Sequence, residues 1–221
     1  MCGRFTETQS KETLIKRFRI QKNHFSQFSP SYNIAPAQEI PIVIKKDLRE
    51  LHGMKWGLVP AWAKDPSIGN HMINARAETL SEKMSFKLAL KWRRCLVLAD
   101  GFFEWKKESE GKVPYFVQKK DHTIFAFAGL WSSWQNPNPG GALLHSCTIV
   151  TTEANDWMKT LHDRMPAILS PAAEEIWVDP EQDDEEKLLA LLKPCSNDQL
   201  IMRPVSKKIN DPHNNFPELL E

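Results

Sequence analysis

Between residues 94 and 152 the chain carries four runs rich in β-branched and aromatic residues, "RCLVLADGFFEW", "PYFVQKK", "TIFAFAGLW" and "LHSCTIVTT". Only short turn-rich breaks, "SEGK", "KDH" and "NPNPGG", separate them, and strands joined by such turns pair antiparallel. Further strands are predicted at "PIVIKK", "ELHGMKWGLVP" and, near the end, "RPVSKKI". "SPSYNIAPAQEI" reads as a Pro-rich connection and "AWAKDPSIGN" as a loop. Helices are predicted at "TQSKETLIKRF", where Leu14, Ile15 and Phe18 share a face, and at "TLSEKMSFKLALKW", with Ser81 as N-cap. Three more are predicted at "EANDWMKTL", "PAAEEIWV" and "DEEKLLALL". Many short strands with helices scattered among them, in no strict alternation, imply an α+β fold around an antiparallel sheet or barrel. No linker interrupts the chain, so one domain over residues 1–221 is expected.

A net charge of +1 excludes a protein that coats nucleic acid through bulk charge, but not one with a local basic groove. Eight Trp and eleven Phe can serve a core and can also stack on bases. The four cysteines, at positions 2, 95, 147 and 195, show no C-x-x-C and no zinc-type spacing, and no metal or other cofactor is expected. Cys95 and Cys147 lie in apolar strand-like runs, where reduced, buried thiols behave as small hydrophobes. The first twenty residues are charged throughout and contain no apolar signal core. No apolar run approaches the ~18 residues of a membrane span. A soluble protein of a reducing compartment is expected.

Cys2 stands apart from the other three. A small residue after the initiator methionine favours removal of Met1, which would leave Cys2 as the N-terminus. A terminal cysteine holds an α-amine (pKa roughly 7.7–8.0) and a thiol (roughly 8.5) on adjacent carbons. That 1,2-aminothiol can act as a self-activated nucleophile or condense with an aldehyde. Core use is closed to a chain terminus unless the terminus is tucked inside, and burying a charged amine needs a reason.

Three other segments place polar residues where a plain core would not need them. "NARAET" gives Asn74, Arg76 and Glu78 alternately, so an extended backbone would point all three to one side. "ADGFFEW" sets Glu104 among Phe102, Phe103 and Trp105, surroundings that desolvate a carboxylate, push its pKa upward and suit proton transfer. "LHDRMP" carries His162, a group that titrates near neutral pH, and Arg164. Each has an ordinary structural use when taken singly. Glu104 could be a half-exposed strand residue, His162 a helix C-terminal cap, Asn74 a turn residue, and Arg76 with Glu78 a weak surface pair.

Taken together, "MCGRF", "YNIAPAQ", "WGLVPAW", "INARAET", "CLVLADGFFEW", "IVTTEAN" and "HDRMPAIL", in this order, resemble the SOS-response-associated peptidase (SRAP) family of abasic-site processing proteins. The resemblance runs from Met1 to about Leu169 and more loosely through "RPVSKKI". It implies a compact α+β domain with a β-barrel-like core. It also implies a catalytic group of Cys2, Asn74, Glu104 and His162, with Cys2 as nucleophile once Met1 is lost. Arg4, Arg76 and Arg164 would contact phosphates, Asn33 of "YNIAPAQ" would join the DNA-binding set, and Trp62 of "WGLVPAW" would stack near the lesion. Two departures stand out: one tryptophan in "AWAKD" where some relatives have two in succession, and no arginine before Phe86 in "EKMSFK".

The implied partner is single-stranded DNA containing an abasic site, with no membrane and no obligate protein partner. The implied location is the cytoplasm, and the nucleoid when the protein is bound to DNA, if it is bacterial or phage-encoded. The implied chemistry is a thiazolidine crosslink between Cys2 and the ring-opened sugar, with weak lyase activity and removal of Met1 by the protein itself. Two other readings remain open from the residues. Cys2 could be an N-terminal nucleophile of a peptidase or amidohydrolase, with its own amine as base. The chain could also be a single-strand binding module in which Cys2 is incidental.

Overall fold

A computed structural model describes residues 2–109, 111–138 and 140–221. Met1, whose removal the sequence predicts, lies outside the described residues, as do one residue of "SEGK" and one of "NPNPGG". The elements, in chain order, begin with β1 (Phe5–Glu7), α1 (Lys11–Phe18), β2 (Lys22–Asn23), β3 (Ser31–Ile34), β4 (Glu39–Lys45), β5 (Arg49–Trp56) and β6 (Asn74–Arg76). They continue with α2 (Met84–Trp92), β7 (Arg94–Ala99), β8 (Gly101–Glu108), β9 (Gly111–Lys119), β10 (Phe125–Gln135) and β11 (Leu143–Glu153). The last are β12 (Arg164–Pro166), β13 (Ile168–Leu169), α3 (Pro171–Val178), α4 (Glu185–Ala190) and β14 (Leu200–Pro204).

Five strands close on themselves. β5 pairs antiparallel with β4, β4 with β7, β7 with β10 and β10 with β11, and a short parallel contact between β11 and β5 completes the ring. A second sheet, in the order β14–β9–β8–β1–β3, adds a further antiparallel layer. The fold is therefore α+β, with a mainly antiparallel, barrel-like core and a few helices.

Period-2 patterning explains which faces meet. On β7, Cys95, Val97 and Ala99 share a buried cluster with Phe125 and Phe127 of β10, Ile40 and Ile42 of β4, and Cys2 and Phe5 at the start of the chain. The alternate residues Leu96 and Leu98, with Ala126, Ala128 and Leu130, join Leu14 and Phe18 of α1, Leu90 of α2, Trp177 of α3 and Leu188 of α4. One set fills the barrel and the other lies beneath the helices. Cys95 and Cys147 are free thiols, both fully buried.

Local chemistry corrects four sequence expectations. "EANDWMKTL" forms only a 3₁₀ turn at Met158–Thr160. There Asn155 accepts from the Met158 N–H (2.8 Å) and donates to the Cys195 carbonyl (2.8 Å), so its side chain holds a tight turn in place of a helix. Helix α2 starts later than predicted. Its N-cap is Lys83, which makes no side-chain capping bond, and Ser81 stays outside the helix because the Lys83 N–H closes a turn on the Thr79 carbonyl (3.1 Å). "AWAKDPSIGN" includes a 3₁₀ segment, Pro66–His71, capped by Asp65. Finally, "RCLVLADGFFEW" is two strands, β7 and β8, broken at Asp100.

The "WGLVP" segment is anchored by its glycine. Gly57 has φ +128°, and a Cβ there would stand 2.6 Å from the Gly69 carbonyl oxygen. Both features reject a side chain. Gly57→Ala is expected to lower unfolding free energy by about 2–4 kcal/mol. Urea denaturation would measure this, and an unchanged midpoint would mean that the close approach is absent in solution.

Candidate active site

The start of the chain is held at the barrel by an aromatic cluster. Phe5 packs edge-on against Trp56 (5.1 Å between centroids) and Phe127 (5.9 Å), and Phe127 meets Phe102 (6.1 Å). Such pairs add about 0.5–1.5 kcal/mol each beyond burial. Pairing of β1 with β8 places Phe5 opposite Phe102, and the Phe103 N–H donates to the Arg4 carbonyl (2.9 Å). Cys2 is thereby set beside the strand that carries Glu104.

Cys2 is fully buried, and Glu104 is only 3 % exposed. The Cys2 Sγ lies 3.9 Å from the Arg4 carbonyl oxygen, to which it donates. Burial pushes the Cys2 thiol far above its ordinary pKa, and the nearby Glu104 carboxylate pushes it further.

Asn74 arrives on β6. Trp56 Nε1 donates to the Ile73 carbonyl (2.8 Å), and β6 lies parallel to β11 with Asn74 level with Ile149 and Arg76 with Thr151. This orientation sends the Asn74 side-chain amide to the Cys2 carbonyl at 2.7 Å. The Asn74 Oδ1 is buried without a hydrogen-bond donor among the described residues. An acceptor beside the first residues of the chain is a ready partner for an amine.

β12 pairs antiparallel with β11, with Thr152 opposite Met165 and Glu153 opposite Arg164. His162 precedes β12, and its Nδ1 accepts from the Arg164 N–H (2.9 Å), which fixes that nitrogen as the unprotonated one. Arg164 grips both Glu78 oxygens at 2.7 and 2.9 Å and the Thr151 carbonyl at 2.6 Å. Partial burial pushes the Glu78 carboxyl upward, but the Arg164 bond, a backbone N–H and the charges of Arg164 and Arg76 together hold the group below the usual carboxylate range. The expected alternation of Asn74, Arg76 and Glu78 on one extended run holds only for the first two. β6 ends at Arg76, and Glu78 sits on a 3₁₀ turn, Ala77–Thr79. Glu78 thus takes its side-chain hydrogen bonds from Arg164, a pairing across 86 positions that no local pattern could signal.

Arg4 and Asn33 form a third unit. Arg4 donates to Asn33 Oδ1 (2.6 Å) and to the Ile209 carbonyl (2.8 Å). The Asn33 amide is itself buried and donates to the carbonyls of Asp211 (3.0 Å) and Asn214 (2.7 Å). The segment after β14 therefore cradles the pair. Arg76 is exposed, and Trp62 is 58 % exposed on the loop that follows "WGLVP".

The match to the family model "SOS response associated peptidase (SRAP)" covers residues 1–212. The chain belongs to the SRAP family. Among its relatives, the abasic site processing protein YoqW of Bacillus subtilis (strain 168) is 44% identical over 224 residues, covering 100% of this chain and 99% of that protein. The abasic site processing protein HMCES of Xenopus tropicalis is 34% identical over 225 residues, covering 88% of this chain and 66% of the relative. In three dimensions this SRAP chain matches a crystal structure of a protein from Bacteroides thetaiotaomicron with TM-score 0.90 and 27% identity, over 100% of this chain and 99% of the other. No described helix is long and apolar enough to cross a membrane.

Proposed function

We propose that this protein processes abasic sites in single-stranded DNA by forming a covalent thiazolidine through Cys2, after Met1 is removed. The observation that carries the reading is the Asn74 amide on the Cys2 carbonyl at 2.7 Å, beside a buried thiol that feels the Glu104 charge. A family whose relatives are named for abasic-site processing supports the choice of substrate.

Once Met1 is gone, the Cys2 α-amine adds to the C1′ aldehyde of the ring-opened sugar and loses water, giving an imine. The thiol sulfur then bonds to the imine carbon while its proton passes to the nitrogen, closing a five-membered ring. Asn74 Oδ1 orients the neutral amine. Glu104 delivers and removes the protons that ring opening and dehydration require, the work of a general acid–base group. His162, with Nδ1 fixed by the Arg164 N–H, presents Nε2 to the sugar oxygen. An imine that does not close can lose the 3′ phosphate by β-elimination, which accounts for a weak lyase activity.

Arg76, Arg164 and Arg4 hold flanking phosphates, Asn33 sets the Arg4 guanidinium, and Trp62 stacks on a neighbouring base. Single strands are preferred because an extruded sugar must reach the first residue of the chain, which duplex stacking obstructs.

The peptidase reading asks Cys2 to attack first as a thiolate. A thiol whose pKa is raised by burial and by Glu104 is a poorer source of thiolate, which favours amine-first chemistry instead. Removal of Met1 remains the one peptide cleavage that this site would perform on itself. Incubation with an abasic single strand, followed by a denaturing gel, tests the proposal. A DNA–protein band that survives denaturant is expected, and catalytic turnover of an amide without such a band would overturn it.

Phosphate contact by Arg76 has its own signature. Arg76→Ala is expected to weaken binding of undamaged single strands and to reduce the slope of log K against log salt by about 0.7. An unchanged slope would place Arg76 away from the backbone.

A further inference from the structure

Apart from the residues of the candidate active site, β2 and β5 gather three ligand-type side chains. β2 runs parallel to β5, with Lys22 level with Glu50 and Asn23 with Leu51, so His24 arrives level with His52. The His24 N–H donates to the Leu51 carbonyl (2.8 Å), which fixes this register. Glu50 and His52, two residues apart on a strand, share a face. His52 Nε2 lies 3.0 Å and His24 Nε2 3.7 Å from the same oxygen, Glu50 Oε2. The two rings stack with centroids 4.7 Å apart, and one ligand atom from each of the three residues lies within 4.8 Å of the others.

We propose that His24, Glu50 and His52 form a binding site for a divalent transition-metal ion of the zinc class, with a fourth position left to water. Two imidazole nitrogens with one carboxylate make a donor set that suits zinc, whereas magnesium and calcium are held by oxygen ligands alone. Bond lengths of about 2.0–2.1 Å set tetrahedral donor atoms about 3.3 Å apart. The two contacts to Glu50 bracket that spacing. The half-exposed His24 ring can close the remaining gap by a side-chain rotation, while Glu50, only 8 % exposed, stays in place. Lys22 and Lys46 approach Glu50 to 3.8 and 4.0 Å. Both are more than half exposed and turn to solvent when an ion takes the carboxylate, which lowers the affinity without removing the site.

Such an ion would act as a staple. β2 is two residues long, and its segment is tied to β5 by only a few backbone bonds, among them Gln21 N–H to the Arg49 carbonyl (2.9 Å). Bridging His24 to β5 would pin the connection that follows α1 onto the barrel. The sequence expects no metal because the three ligands come from two distant segments, and only the parallel register of β2 with β5 unites them.

The test uses the full-length protein without a tag. Equilibrium dialysis against micromolar zinc chloride is expected to leave one zinc per chain, and cobalt(II) is expected to give the strong visible absorption of a low-coordinate site. His24→Ala and His52→Ala should each weaken zinc binding by about tenfold or more, whereas His145→Ala and Cys195→Ser should leave it unchanged. The melting temperature should rise with zinc in the wild type and in these two controls, and not in His24→Ala or His52→Ala. Because His24 is exposed, His24→Gln provides a variant that preserves the fold's packing, read by the same dialysis. Retention of no zinc by the wild type, or equal retention by His24→Gln, would overturn the proposal. None of the three residues belongs to the proposed lesion site, so either result leaves that reading standing.

Discussion

Cys2→Ala is expected to abolish the denaturant-stable adduct with abasic single-stranded DNA, lowering its rate of formation by about 100-fold or more. The variant separates two chemistries. After loss of Met1, its terminus keeps an α-amine and lacks only the sulfur that closes the ring. Imine formation should therefore survive and be trappable by borohydride, and strand cleavage by β-elimination should persist or increase. The substitution removes a small buried group and should cost about 1 kcal/mol of stability, so folding does not cloud the result. Loss of the imine as well as the adduct would show that the thiol acts first, as a peptidase mechanism requires. Full retention of the adduct would make Cys2 incidental.

Glu104→Gln is the second large effect. It keeps the shape of the side chain and removes its charge. Crosslinking is expected to slow by about 10²–10⁴-fold with little change in affinity for undamaged single strands, the range for loss of a positioned acid–base group. The sign is informative. The Glu104 carboxylate raises the Cys2 thiol pKa, so its removal increases the thiolate fraction. Were thiolate supply limiting, Glu104→Gln would crosslink faster. A slower reaction assigns Glu104 to proton transfer, while a parallel loss of binding would make it architectural. Single-turnover adduct formation and fluorescence anisotropy with an intact oligonucleotide measure the two quantities separately.

Much of the sheet was legible because period-2 patterning is local. Leu96 and Leu98 face one way and Cys95 and Val97 the other, and β10 repeats this with Phe125 and Phe127 against Ala126 and Ala128. The closure of the barrel was not legible. It depends on a parallel contact of Trp56 with Cys147, and neither run announces its distant partner. The helix expected at "EANDWMKTL" fails for a nonlocal reason too: its apolar spacing is helical, but Asn155 spends its side chain on Met158 and Cys195. In the candidate site the sequence supplied the residue types, and it had no means of joining them. The bond from Asn74 to Cys2 spans 72 positions, and the grip of Arg164 on Glu78 spans 86. Asn33 shows the same limit. Its place in "YNIAPAQ" marks it as a DNA-binding candidate, yet its amide is turned inward to the carbonyls of Asp211 and Asn214, and it reaches any ligand through Arg4.

The central claim is that an unblocked terminal aminothiol captures the aldehyde of a damaged sugar. Intact-mass spectrometry of the purified protein, before and after incubation with an abasic single-stranded oligonucleotide, tests it in one experiment. The expected spectrum shows the chain lacking Met1, then a species equal to that chain plus the oligonucleotide minus one water. A reactive form that retains Met1, or a protein lacking Met1 that gains no such mass, would contradict it.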